Sequence, residues 1–77
     1  MQNLSICGLY RHFKGDTYRI LELATHTETS ELLVIYMNMN TRKVYARPFD
    51  MFVSRVDKEK YPHVTQEFRF EKINMPD

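Results

Sequence analysis

Leu32-Leu33-Val34-Ile35-Tyr36, with Met37 trailing, is the stretch on which the fold reading turns. It is an unbroken apolar run, too short for a free-standing helix and rich in β-branched and aromatic residues. Such a run reads as a strand buried on both faces. The flanking sequence reads as further strands wrapped around it.

Moving outward, Thr17–Thr25 (TYRILELAT) has the β-formers and partial alternation of a second strand, with Tyr18 and Ile20 inward. Its parity then slips, since Leu21 and Leu23 sit on the other phase. Either a bulge intervenes or both faces are covered. Before it, Leu9–Phe13 (LYRHF) forms a strand, and Lys14-Gly15-Asp16 supplies a tight turn in which Gly15 takes positive φ. The polar, unpatterned His26–Glu31 (HTETSE) is a loop into the central strand. After that strand comes a tip, Asn38-Met39-Asn40-Thr41, where an Asn is suited to the left-handed conformation.

Val44–Arg47 (VYAR) continues as a strand and Pro48 ends it. Phe49-Asp50-Met51-Phe52 suits one 3₁₀ turn, because Pro fits the first position of a helical turn. Phe52–Asp57 reads as another strand and Asp57–His63 as an exposed excursion. Gln66–Lys72 is the last strand, with Phe68 and Phe70 on one face and Glu67, Arg69 and Glu71 on the other. Asn74–Asp77 is expected to fray.

Five to six short strands joined by brief turns, without an amphipathic helix, make an all-β fold. The 77 residues are expected to be one β-domain with an ordered core from about residue 8 to 73. A small antiparallel barrel or roll of SH3-like kind would cover the apolar face that a flat sheet leaves wet, with an open roll as the alternative. The expected core comprises Tyr18, Ile20, Leu23, Leu33, Val34, Ile35, Val44, Phe52, Val53, Phe68 and Phe70. A chain of this length buries only about 60% of its unfolded surface, so one core supplies about 3–5 kcal/mol.

Composition excludes several classes. With 43% hydrophobic and 27% charged residues, the chain is neither disordered nor long enough in apolar residues to cross a membrane. A formal charge of +1 gives no whole-molecule field favouring a polyanion, so any such case rests on a local patch. The N-terminal MQNLSIC lacks a secretory pattern, and the lone Cys7 has no internal disulfide partner, so a cytoplasmic location is expected. Cys7, His12, His26 and His63 lack the paired thiolate spacing of structural zinc sites, and neither a P-loop nor GxGxxG occurs. Neither a metal nor a cofactor is therefore expected.

Read together, GLYRHFKGDTYRILELATHTET, LLVIY, ARPFDMF and FRF resemble a family of small, mostly bacterial proteins catalogued as a domain of unknown function. The shared pattern is GxYxHxKGxxY, a His-[ST]-Glu-Thr loop, VxY, RPxxMF and a closing RF, spanning Gly8 to Phe70. The resemblance implies a stand-alone β-domain and brings no assigned activity.

Three groups of polar residues invite a functional reading. Tyr10, Arg11, His12 and Lys14 alternate aromatic and basic groups, as do Arg42, Lys43, Tyr45 and Arg47. On adjacent strands they would pair phosphates with cations and stack bases on rings, although such charges are ordinarily just a solvated face. His26 and Glu28 offer a general base in a polar loop, against the simpler reading that they bond the loop backbone. Arg47 is a phosphate or carboxylate clamp, or an internal bridge to Glu28 or Asp50, the reading favoured here. Cys7 is an inert small residue; Met37, Met39, Met51 and Met75 read more readily as filler than as interface, although an exposed Met39 with Tyr36 would make an adaptable protein-binding patch.

These features order three functions. The leading expectation is a non-catalytic binding module for a protein or peptide partner, because small barrels present edges and grooves. The second is a nucleic-acid binder, which requires Tyr10, Arg11, Lys14, Lys43 and Arg47 to converge on one face, and whose binding Lys14→Glu abolishes. The third is a minor enzyme built on His26 and Glu28. A monomer or weak homodimer is expected.

Overall fold

The computed structural model describes residues 4–73. Within them β1 (Leu9–His12), β2 (Thr17–Thr25), β3 (Leu32–Asn38), β4 (Val44–Pro48), a one-turn helix α1 (Phe49–Phe52) and β5 (Phe70–Lys72) follow in sequence. The strands form one antiparallel sheet of order β4-β3-β2-β1-β5. The first four are a meander. The chain then leaves β4 at one edge and returns as β5 at the other, so residues 49–69 must cross the whole sheet.

The local chemistry explains the joins. Gly15 has φ +113°, and its N–H donates to the His12 carbonyl at 2.8 Å, closing the β1–β2 turn. Between β2 and β3 the register jumps from Ile20↔Tyr36 to Glu22↔Ile35, leaving Leu21 as the extra residue of a bulge. That is why Ile20 and Leu23, three positions apart, both face inward. At the β3–β4 tip the left-handed residue is Arg42, φ 64°, and not an Asn. Asn38 acts there through its side chain instead, Oδ1 accepting from the backbone of Asn40 at 2.8 Å and of Thr41 at 3.1 Å.

Several expectations are corrected. The sheet is not closed into a barrel: β4 and β5 are its two edges, with the three residues of β5 paired to β1. β3 is not buried on both faces. Val34, Tyr36 and Asn38 are buried, whereas Leu33, Ile35 and Met37 are half-buried, because the crossing segment covers only one face. The turn after Pro48 is α-helical rather than 3₁₀, since the Val53 N–H reaches back four residues to the Phe49 carbonyl at 3.0 Å. Pro48 itself ends β4, an edge strand where its missing N–H costs nothing.

Phe52–Asp57 is not a strand; it contributes one bridge, Arg55↔Phe68. The last strand is confined to Phe70–Lys72 because the Gln66 amide takes over part of the pairing. Its Nε2 donates to the carbonyls of Phe68 at 2.8 Å and Arg11 at 3.0 Å. The expected fraying of Asn74–Asp77 concerns residues outside those described.

The core lies between the sheet's inner face and the crossing segment. Tyr10, Ile20, Val34, Tyr36, Phe52, Val53 and Phe70 form it, with Tyr18, Leu23 and Phe49 packed against it. Phe52 stacks on Phe70 at 4.0 Å between centroids and meets Tyr36 and Tyr10 edge-on at 5.2 and 6.0 Å. Tyr10 and Tyr36, read from sequence as surface residues, are 0% and 5% exposed. Val44, expected inside, is 55% exposed on the outer face of the edge strand. Leu33 and Ile35 share that outer face and Phe68 is half-buried, so none of the three belongs to the buried core. No described helix is long and apolar enough to cross a membrane.

Candidate functional site

Cross-strand pairing sets which side chains share the inner face with the core. Tyr10 pairs with Tyr18, His12 with Phe70, Val34 with Arg47 and Tyr36 with Tyr45, so His12 and Arg47 point to the same side as the buried rings. With residues of the crossing segment they border a cleft of about 430 Å³. His12, Phe13, Lys14 and Tyr18 come from the first hairpin, and Arg47 from β4. The crossing segment adds Asp57, Lys60, Tyr61 and Arg69.

Four cations and one carboxylate therefore line a single opening. The carboxylate is already engaged: Asp57 Oδ1 accepts from the backbone of Glu59 at 3.0 Å and of Lys60 at 3.3 Å, holding the loop that carries Tyr61. Arg47 is oriented from below. Its Nε donates to the Tyr36 hydroxyl at 3.3 Å, and its guanidinium lies 5.8 Å from the Phe70 centroid. The expected bridge from Arg47 to Glu28 or Asp50 is not formed; among the described residues the one ion pair is Arg55–Glu67, at 3.2 Å. Strand alternation instead sets Arg47 on the inner face, paired with Val34, where it reaches Tyr36 and Phe70.

Two titrating groups register this field. Desolvation, then the charges of Arg47, Lys14 and Arg69, hold the His12 pKa below its ordinary value, with Asp16 opposing weakly. Nδ1 of His12 accepts the Lys14 backbone N–H at 3.1 Å, so the neutral ring carries its proton on Nε2, as a donor. Burial pushes the Tyr61 phenol up, but the ammonium groups of Lys14 and Lys60 outweigh it and the net shift is downward. Both ammoniums lie 5.5 Å from the Tyr61 centroid, and the ring meets Phe13 edge-on at 4.9 Å. The arrangement can hold an anion and offer it an aromatic wall.

The sequence candidates divide accordingly. Of the five residues expected to converge, Lys14 and Arg47 do, joined by His12. Tyr10 does not: its ring is wholly buried and its hydroxyl accepts the Ser5 backbone N–H at 3.0 Å. Arg11 is exposed on the opposite face, between Thr17 and Glu71, and Lys43 does not line the cleft. His26 and Glu28 are elsewhere too. The His26 ring accepts the backbone N–H of Glu28 at 3.2 Å and of Thr29 at 3.3 Å, which ties up the nitrogen a general base would need. Among the described residues no group of three or more His, Cys, Asp or Glu side chains could hold a metal ion.

Phe13, Tyr18, Asp57, Lys60, Tyr61 and Arg69 escaped the sequence reading as site residues. Several carried a local signal of the kind sought in the strands: Phe13 adjoins Lys14, Tyr18 adjoins Arg19, Arg69 lies between Phe68 and Phe70, and Lys60-Tyr61 is a basic and aromatic pair in a polar excursion.

Comparison with known proteins adds family but no activity. The family model described as a protein of unknown function, DUF1653, matches residues 8–72. A crystal structure of a DUF1653 protein from Bordetella bronchiseptica is similar over 100% of this chain and 99% of its own, with 30% identity and a TM-score of 0.77. No curated protein matches.

Proposed function

The chain belongs to the DUF1653 family of proteins of unknown function, and we propose that it is a non-catalytic binding module whose ligand is an anion held in the inner-face cleft. The observation that carries this reading is the concentration of Lys14, Arg47, Lys60 and Arg69 around one opening in a protein whose total formal charge is only +1. Like charges repel, so gathering them costs stability unless a counter-charge arrives. Asp57 is the one acid in the lining. The neutral, donor-bearing His12 suits an oxyanion as well. A non-catalytic role is supported by the backbone engagement of both His26 and the Nδ1 of His12.

The test is an amide NMR titration with inorganic phosphate and pyrophosphate at low and then raised salt. Shifts are expected at residues 12–14, 47, 60, 61 and 69, fading with salt as exposed charge pairs do. Arg47→Gln removes a charge-assisted donor and weakens binding roughly tenfold or more. Lys14→Glu reverses a charge at the mouth and weakens it further. Shifts scattered over the surface, or none at low salt, would refute the cleft as the binding site.

A second reading, a peptide added as a strand, rests on the β4 edge, where Val44 and Tyr45 are 55% and 41% exposed. It predicts that a bound partner perturbs residues 44–48 rather than the cleft.

A further inference from the structure

We propose that the anion taken by this cleft is single-stranded nucleic acid, with one unpaired base entering beside Tyr61 and consecutive phosphates lying on the surrounding cations. This rests on the anion-binding reading above and specifies its ligand.

Charge sets the first condition. Four cations against one carboxylate leave an excess of three positive charges around the opening. A single terminal phosphate brings about −1.5 to −2, whereas phosphodiesters bring one charge each, so three in succession match the excess.

Shape sets the second. Reading a duplex requires an element that projects into a groove, where the base edges are displayed, because the base faces are buried in the stack. Here the charged groups line a recess. What enters a recess is a base that has already left its stack, as in aromatic platforms for single strands. At about 430 Å³ the cleft lies near the small end of the range for ligand pockets, about 300–1,000 Å³, and suits one nucleotide unit at a time.

The third condition is an aromatic face that phosphate can uncover. Lys14 and Lys60 each place an ammonium 5.5 Å from the Tyr61 centroid. These contacts are weak, about 0.5–1 kcal/mol at exposed sites. Phosphates draw the two ammoniums outward and leave the ring for a base. His12 and Arg47 remain in place, the first backed by Phe70 at 4.8 Å edge-on and the second by the Tyr36 hydroxyl. An acidic peptide matches the charge as well but gives Tyr61 no planar partner.

The experiment compares inorganic pyrophosphate, a nucleoside monophosphate and diphosphate, a single-stranded decamer, its duplex and an acidic peptide, using wild type, Tyr61→Ala and Tyr61→Phe. The expected result has three parts. The decamer binds at least tenfold more tightly than the monophosphate. Its log affinity falls against log salt with a slope of about −2.1, for three phosphates. Tyr61→Ala lowers decamer affinity about tenfold, as loss of one base stack does, while pyrophosphate binding is retained and Tyr61→Phe behaves as wild type.

If the diphosphate, the duplex or the peptide binds as tightly as the decamer, or if Tyr61→Ala weakens every anion equally, the single-strand proposal is overturned and the anion cleft stands. If no anion shifts the cleft residues, both fail.

Discussion

Tyr10 offers the sharpest test of where the functional face lies, because its two readings predict opposite phenotypes. Its side chain is completely buried, edge-on to Phe52 at 6.0 Å, and its hydroxyl accepts the Ser5 N–H at 3.0 Å. Truncation to Ala removes a whole aromatic ring from a core, which costs about 3–5 kcal/mol. That is comparable with the entire stability a core of this size supplies, about 3–5 kcal/mol, so Tyr10→Ala should be largely unfolded at room temperature. Tyr10→Phe keeps the ring and loses one neutral hydrogen bond, worth about 0.5–1.5 kcal/mol. With roughly 4–8 °C per kcal/mol for a domain this small, its Tm falls by about 2–12 °C. Far-UV circular dichroism melts of the two variants measure this, and a phosphate titration of Tyr10→Phe should match wild type. A Tyr10→Ala protein that melts like wild type but has lost anion binding would show that the ring is a surface contact and that the core assignment is wrong.

Three further predictions concern the histidines. Because the folded state holds His12 below its ordinary 6.5, the unfolded chain binds that proton more readily, so stability rises with pH through this window and falls as pH drops below about 6.5. Thermal melts between pH 8 and 5 should show a loss that His12→Gln flattens; equal slopes in the two proteins would refute it. Bound phosphate stabilises the imidazolium, so an NMR titration of the ring should give a higher His12 pKa with phosphate than without. His26→Ala removes the acceptor for two loop N–H groups and should cost about 1 kcal/mol in chemical denaturation, leaving phosphate affinity unchanged; a large loss of binding would reopen the catalytic reading of His26 and Glu28.

The strands were legible because their causes are local. LLVIY could be little but a strand, Gly15 marked the first hairpin, and the slip of parity around Leu21 betrayed the bulge. The weaker elements were legible only in part. Gln66–Phe70 alternates like a strand, yet the Gln66 amide occupies carbonyls that a ladder would need.

Of the site, Lys14, His12 and Arg47 were visible as basic or aromatic company at turns, while the wall facing them was not. Lys60 and Tyr61 belong to a segment with no apolar pattern, and their place opposite Lys14 follows from a crossing of the whole sheet between β4 and β5.

The sequence by itself determined the β class, the succession of the first four strands and which of their residues share a face, since a period of two is a property of the extended backbone. It could not determine which face turns inward. Leu9 and Arg11 alternate with Tyr10 and His12, and nothing in that alternation says which pair is covered. Only the tertiary structure decided it, by laying residues 49–69 over one side of the sheet. That choice buried Tyr10 and Tyr36, left Val44 in solvent, and brought cations distant in sequence to one opening, because burial and electrostatic fields depend on distance through space rather than along the chain.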